Sequence, residues 1–377
     1  MTPSPNRPAT RLATRLSFFA AGFGMACWAP LVPFAKARIG VDDGQLGLLL
    51  LCIGIGSIIA MPLTGWFSAR LGSKPMILAG GIGIVLLLPI LAIASDTLVL
   101  AAALLGFGAS LGTIDVAINV HAVEVERAAG HPLMSGFHAL FSIGGFAGAG
   151  SMTFLFSIGS APFTAALFGS AATMVALVLA WPRLLTARGG EPTPFVLPHG
   201  IVLLLAGLGA VTFLVEGALL DWSALLIVDA GLAAAAQGGL GYMLFSIAMT
   251  IGRLSGNRIV ARFGNRSVLV WGGLLTVAGF VLLLTAPLVQ VAMAGFLLIG
   301  FGASNLVPVL FSLAGRQTVM PAVLAVAALT TTGYAGILAG PAAIGFVSRH
   351  LGLPAAFWLL AALMAFVPIF ARRATQE

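Results

Sequence analysis

The chain has 377 residues, 60% hydrophobic and 8% charged, with a mean hydropathy of +1.10. A water-soluble domain is about a quarter charged, so this composition excludes a soluble globule and points to a chain that lives in a bilayer. Lys and Arg number 18 against 11 Asp and Glu, a net charge of +7. The basic residues stand singly or in twos and threes between apolar runs, which argues against a nucleic-acid partner. Cys27 and Cys52 both lie in apolar runs and read as small core residues, not as a disulfide framework.

From the N-terminus, Arg7, Arg11 and Arg15 precede an apolar stretch in the manner of a secretory signal. The stretch continues past Cys27 and many more follow, so an uncleaved first helix is expected. A spanning helix needs about 20 apolar residues. Low-charge runs place spans near 16–35, 45–68, 76–95, 98–121, 134–157, 162–182, 200–220, 237–257, 267–286, 290–314, 322–347 and 351–371. All should be helices, because lipid offers backbone groups no partner and no alternating barrel pattern is present. Residues 222–236, which contain Asp229, read as an extension of the seventh helix or a surface-lying segment after it. With the N-terminus inside, 15 Lys and Arg fall on the inner side, while Lys36, Arg38 and Arg349 fall on the outer. That asymmetry makes both termini cytoplasmic.

The chain also matches itself when shifted by about half its length. ARLGSKPMIL at 69–78 aligns with ARFGNRSVLV at 261–270, a shift of 192. GFGAS at 106–110 recurs at 300–304, and Trp28 maps onto Trp222, both at 194. Gly144 and Gly148 map onto Gly336 and Gly340 at 192. Matches in order at a nearly constant offset indicate a six-helix unit used twice. An even number of spans per unit makes the repeat parallel, the arrangement of alternating-access carriers whose solute site lies between halves at mid-depth. The expected fold is therefore an all-α membrane protein of twelve transmembrane helices in two parallel pseudo-repeat six-helix bundles. The bundles are residues 1–182 and 200–377, with a cytoplasmic linker at 183–199.

GWFSARLGSK at 65–74 resembles the loop after helix 2 of the major facilitator superfamily: Gly65, Gly72 and Lys74 fit, while Ala69 replaces the usual Asp. GTIDVAINVHAVEVE at 112–126 and MSGFHALFSIGGFAGAG at 134–150 look more narrowly like the fucose-permease-like branch. In that branch's sugar-proton symporters helix 4 carries an acid and an Asn four residues later, which Asp115 and Asn119 match; the second acid, on helix 1, has no counterpart here.

An ionisable residue inside a span is costly in lipid and is by default functional. Gly108, Gly112, Asp115 and Asn119 share one helical face. The glycines suit close helix packing, and Asp115 suits proton coupling or a buried structural network. The matching face of helix 10, read at the 194 shift, is Gly302, Leu306, Val309 and Leu313, which confines polar chemistry on this helix pair to the first half. Glu216 is the other intramembrane acid, either a second proton carrier or a group hydrogen-bonded to a partner such as Tyr334. His138 reads as a relay or solute clamp, or as a structural donor beside Glu124 or Glu126. Trp28, Asn119, Tyr242, Asn305 and Tyr334 are candidate cavity-lining residues, with interhelical packing the alternative. Arg70 and Lys74 near Glu124 or Glu126 are the expected cytoplasmic gate, with Arg262 and Arg266 added by the repeat. Arg253 and Arg258 are expected to snorkel to the inner interface with them.

GASLG at 108–112 satisfies G-x-S-x-G, and Asp115, His121 and His138 invite a hydrolase reading. That elbow needs a strand-to-helix turn, whereas small residues in a packed membrane helix account for the pattern. Motifs for ATP, zinc and dinucleotides are absent from the sequence, so no enzyme, metal or cofactor is expected. The expected protein is a monomeric secondary transporter whose partners are protons, the bilayer and a small-molecule solute such as a sugar or related metabolite. Proton-driven efflux and a non-transporting receptor are the alternatives.

Overall fold

The computed structural model describes residues 7–41, 43–186, 197–232 and 240–376. Among these residues every regular element is helical: α1 (Pro8–Ala26), α2 (Val32–Ile39), α3 (Asp43–Leu71), α4 (Ser73–Ile93), α5 (Thr97–Ala129), α6 (Met134–Ser157), α7 (Pro162–Ala180), α8 (Ile201–Asp229), α9 (Leu240–Leu284), α10 (Val289–Ala303), α11 (Leu306–Arg316), α12 (Ala322–Leu351), α13 (Leu353–Met364) and α14 (Phe366–Ala374). The described residues contain 11 helical stretches long and apolar enough to cross a membrane. One of them, α9, is two arms joined where Gly264 leaves helical geometry at φ 77°, ψ 162°. Counting those arms separately gives the twelve crossings expected. Large apolar side chains such as Leu86, Trp271 and Phe346 are exposed, as a lipid-facing surface requires.

Local chemistry sets the ends. Helix α1 starts at Pro8, ahead of the apolar run expected to span from residue 16, and its hydroxyls turn inward: Thr14 donates to Thr10 O and Ser17 to Ala13 O, both at 2.9 Å. Asp96 caps α5 by accepting from the amides of Leu98 and Val99 at 2.9 Å. Arg38, at the end of α2, closes the C-terminus of α4. Its guanidinium donates to Leu91 O at 2.8 Å, Ala92 O at 2.6 Å and Ala94 O at 2.7 Å, meeting carbonyls that have no intrahelical donor. Helix α8 runs unbroken to Asp229, so the start of the ambiguous 222–236 stretch is an extension of it. The last residues of that stretch, 233–236, and the linker residues Arg188 and Glu191 lie outside the described residues.

By packing, the chain forms two compact units. The first is Met1–Gly130, Phe137–Leu197 and Pro321–Thr331; the second is His131–Gly136, Pro198–Met320 and Thr332–Glu377. In the first unit a Cβ at Gly65 would run into Ala327; in the second, the Gly136 amide donates to Asn257 Oδ1 at 3.0 Å.

The units repeat each other in backbone detail. Gly72 (φ 84°) and Gly264 (φ 77°) make the same turn, and positive φ recurs at Gly40 and Gly231 and at Gly159 and Gly352. A Cβ at Gly80 would lie 2.7 Å from Ser110 O, and one at Gly272 would lie 2.7 Å from Gly302 O. Likewise Gly108 abuts the Ile53 carbonyl as Gly300 abuts that of Phe245, and Gly144 meets Phe19 as Gly336 meets Ala210. These pairs set the shift at 191 to 193 residues, which corrects the GFGAS match at 194. The structural partner of Gly300 is Gly108, not Gly106, and the face equivalent to Gly112, Asp115 and Asn119 is Ser304, Val307 and Phe311.

Candidate functional site

In the first unit the candidate group is Asp115, held by α5. Gly108 and Gly112 bring α5 against α3, where Ser57 Oγ donates to Gly108 O at 2.7 Å. Ser110 and Ile114 meet Gly80 of α4. With those sides packed, Asp115 keeps partial exposure. Asn119, one turn later and buried, donates through Nδ2 to Asp115 O at 2.9 Å and to its carboxylate Oδ1 at 3.3 Å. The acid therefore meets a neutral amide, and Asn119 Oδ1 is buried with no partner among the described residues.

His121, on the same helix, is structural. It is fully buried, and its Nε2 accepts from the Leu185 amide at 3.0 Å, which assigns the proton to Nδ1, 3.2 Å from Thr14 Oγ1. GASLG lies inside unbroken helix, with no elbow. His138 is buried with its ring edge-on to Phe18, centroids 5.2 Å apart. Trp28 is buried within the same unit.

The second unit holds a polar cluster built on a broken helix. The span expected to run uninterrupted over 290–314 breaks between α10 and α11, where Asn305 takes φ −110°, ψ 1°. Pro308 supplies the cause: it has no N–H for the carbonyl four residues back, Ser304 O, and its ring crowds that oxygen. The freed carbonyl accepts from Arg253 Nε of α9 at 3.3 Å, and Arg253 Nη2 lies 3.5 Å from Glu216 Oε1 of α8. Asn305 Nδ2 donates to Gly252 O at 3.0 Å and lies 2.9 Å from Ser304 Oγ, so its amide joins α10 to α9. Gly252 and Gly256 leave the room this needs, since a Cβ on either would strike Ser304 or Asn305. Tyr242 lies within electrostatic reach of Glu216, Arg253 and Asp221. Tyr334 is half-buried, its ring 6.4 Å from that of Phe213.

Two sequence expectations change here. Arg253 does not snorkel to an interface: it is 8% exposed and pairs with Glu216 inside the unit. Its position inside the 237–257 span was the signal, by the same reasoning that selected Asp115 and Glu216. Polar chemistry is also not confined to α5, because Ser304 and Asn305 carry it in the second unit; Pro308 was the signal for that break.

Among the described residues, Arg70 and Lys74 do not pair with Glu124 or Glu126. Arg70 stacks its guanidinium over Trp66, one turn earlier on α3, 3.7 Å from the ring centroid, and Lys74 Nζ sits 4.7 Å from that of Trp181. Local aromatic faces hold both cations in place of Glu124 and Glu126. Glu124 instead feels Arg127 on its own helix, and Glu126 is buried. Arg262 and Arg266 are exposed, Arg262 over the ring of Phe263 at 5.4 Å.

A model of the Major Facilitator Superfamily matches residues 229–376. An uncharacterized MFS-type transporter of Yersinia pestis is 50% identical over 97% of this chain and 96% of its own length. The chain belongs to the major facilitator superfamily. Membrane protein MosC of Rhizobium meliloti is 30% identical over 97% of this superfamily member and 90% of MosC. Among solved structures, the MFS transporter FucP in its outward conformation superposes with TM-score 0.82 at 18% identity, covering 99% of this chain and 100% of FucP. The E. coli fucose:proton symporter structure of FucP gives TM-score 0.80 at 19% identity, covering 97% and 98%. Identity that low shows the shared fold alone; the family model and the Yersinia pestis relative make the chain a multi-pass membrane transporter of the superfamily, which handles small-molecule solutes.

Proposed function

We propose that this carrier is a proton-coupled symporter of the fucose-permease-like branch, moving a small polar solute such as a sugar or related metabolite across the inner membrane by alternating access. It works as a monomer with both termini cytoplasmic, its bundles 1–182 and 200–377 joined by the linker 183–199. The observation that carries the reading is Asp115, a membrane-embedded acid whose carboxylate meets an amide donor. Such an acid changes protonation without breaking an ion pair. Asn119 follows either state: it donates to the carboxylate, and when Asp115 is protonated its unpartnered Oδ1 accepts. The likeness in fold to a fucose:proton symporter supports the reading. Glu216 is the second proton-coupling acid, and Asn119, Trp28, His138, Tyr242, Asn305 and Tyr334 are the proposed solute-side residues.

The test is transport in proteoliposomes. A gradient of one pH unit supports up to about tenfold accumulation per proton coupled. Asp115→Asn is expected to lose accumulation under that gradient while retaining exchange between equal solute pools. A variant that still concentrates solute under the pH gradient would place the proton site elsewhere.

A further inference from the structure

The Glu216–Arg253 pair is more than counter-charge within a fold. Arg253 is oriented from behind by the backbone: Pro308 frees Ser304 O, and that carbonyl takes Nε. The guanidinium is thereby fixed with Nη2 toward Glu216, yet the two meet through a single 3.5 Å contact, without the two-pronged geometry this pair of side chains favours. Glu216 is also the more exposed partner, 20% against 9% for the arginine side chain. A rigidly aimed cation facing a loosely held, more accessible carboxylate is the arrangement of a receptor occupied by its own internal anion. Tyr242, also on α9, brings a phenol hydroxyl within electrostatic reach of both.

We propose that Arg253 is the receptor for a carboxylate of the transported solute, with Glu216 as the stand-in that the solute carboxylate displaces. This rests on the transporter reading and narrows the solute class to an acidic, hydroxyl-bearing metabolite such as a sugar acid. When the solute carboxylate takes Arg253, Glu216 loses its cation in a low-dielectric interior, where an unpaired charge is costly. A proton from the aqueous phase neutralises it. Each bound carboxylate then brings one proton, Arg253 remains charged, and the occupied unit carries the same net charge as the empty one.

The test is binding, so its outcome is independent of flux. Purified full-length protein in detergent is titrated calorimetrically with D-gluconate, D-glucuronate and D-galacturonate, and with D-glucitol, D-glucose and D-galactose as their neutral counterparts. Runs in buffers of different ionisation enthalpy count protons. At least one acid is expected to bind at least tenfold more tightly than its counterpart, with uptake of close to one proton. Arg253→Gln is expected to lose at least tenfold in affinity for that acid. Glu216→Gln is expected to keep or gain affinity and to lose the proton uptake. Should Arg253→Gln fold poorly, Arg253→Gln combined with Glu216→Gln leaves no buried charge unpaired and carries the same readout.

Equal binding of acid and neutral partner, binding of no acid in the set, or acid binding unchanged in the arginine variants overturns the proposal. Tight binding of a neutral sugar alone overturns the carboxylate receptor and leaves the transporter reading standing. Absence of solute flux from proteoliposomes bears on that reading instead.

Discussion

Gly106 and Gly108 lie two residues apart on α5, and alanine should act oppositely at the two positions. At Gly106 the nearest atom to an added Cβ is a methyl of Leu87 at 3.2 Å, the far end of a flexible side chain. Alanine gains about 1 kcal/mol of helix propensity over glycine, so Gly106→Ala should be neutral to slightly stabilising. At Gly108 the same Cβ runs into the carbonyl and Cα of Ile53, which are backbone, so α3 and α5 must part. Overpacking of that kind costs about 1–3 kcal/mol, and parting also stretches the Ser57 Oγ to Gly108 O bond of 2.7 Å, which contributes about 1 kcal/mol. After the propensity gain, Gly108→Ala should lose about 2 kcal/mol, and the two variants should differ by about 3. Scanning fluorimetry of the purified proteins in detergent, beside wild type, reads the difference as apparent unfolding temperature. Gly300→Ala, whose Cβ meets the Phe245 carbonyl, should side with Gly108→Ala. Equal unfolding temperatures for the Gly106 and Gly108 variants would refute the packing argument. Gly300→Ala behaving like Gly106→Ala would restore the 194-residue register.

Three further outcomes follow from other contacts. Arg38→Gln removes the charged donor shared by three carbonyls at the C-terminal end of α4 and should cost about 2 kcal/mol by the same assay; Arg38→Lys, lacking the fork, should recover part of it. His121→Leu leaves the Leu185 amide without its acceptor, so trypsin cleavage after Arg183 should accelerate while the wild type stays resistant; unchanged cleavage would show that the imidazole does not hold this segment. Glu216→Gln and Arg253→Met should each cost about 3 kcal/mol, whereas the double variant should recover most of that loss, because removing both charges leaves nothing unpaired. Additive losses would mean that the two side chains act independently.

The span layout was legible because lipid enforces it: a run such as LLLLCIGIGSIIAMPL admits no other reading in a chain with this little charge. The half-chain repeat was legible too, but its register was not. Identical letters at GFGAS favoured a shift of 194, while the shift that holds is set by which carbonyl each glycine faces across a helix pair, a property of packing that letters do not carry. The break at Asn305 was hidden in a long apolar run, although Pro308 announced it three residues on. Arg253 was masked by company: three more arginines follow within 13 residues, and grouping them as one interfacial set hid that the first lies a full turn deeper. For the gate, the charges of Arg70 and Lys74 were visible in the sequence, but Trp66 and Trp181 were not recognised as their partners.

The different company of the two acids has an electrical consequence. A membrane potential acts on net charge carried through its field, at about 2.3 kcal/mol per elementary charge per 100 mV. Glu216 and Arg253 cancel, so moving them together is nearly silent to the potential. Asp115 has an amide beside it, which balances nothing. Whenever Asp115 is ionised, the potential has one uncompensated charge to act on; when it is protonated, that charge is gone. With Asp115 as the proton-coupling acid proposed above, voltage dependence of the empty carrier's return is expected to report its ionisation.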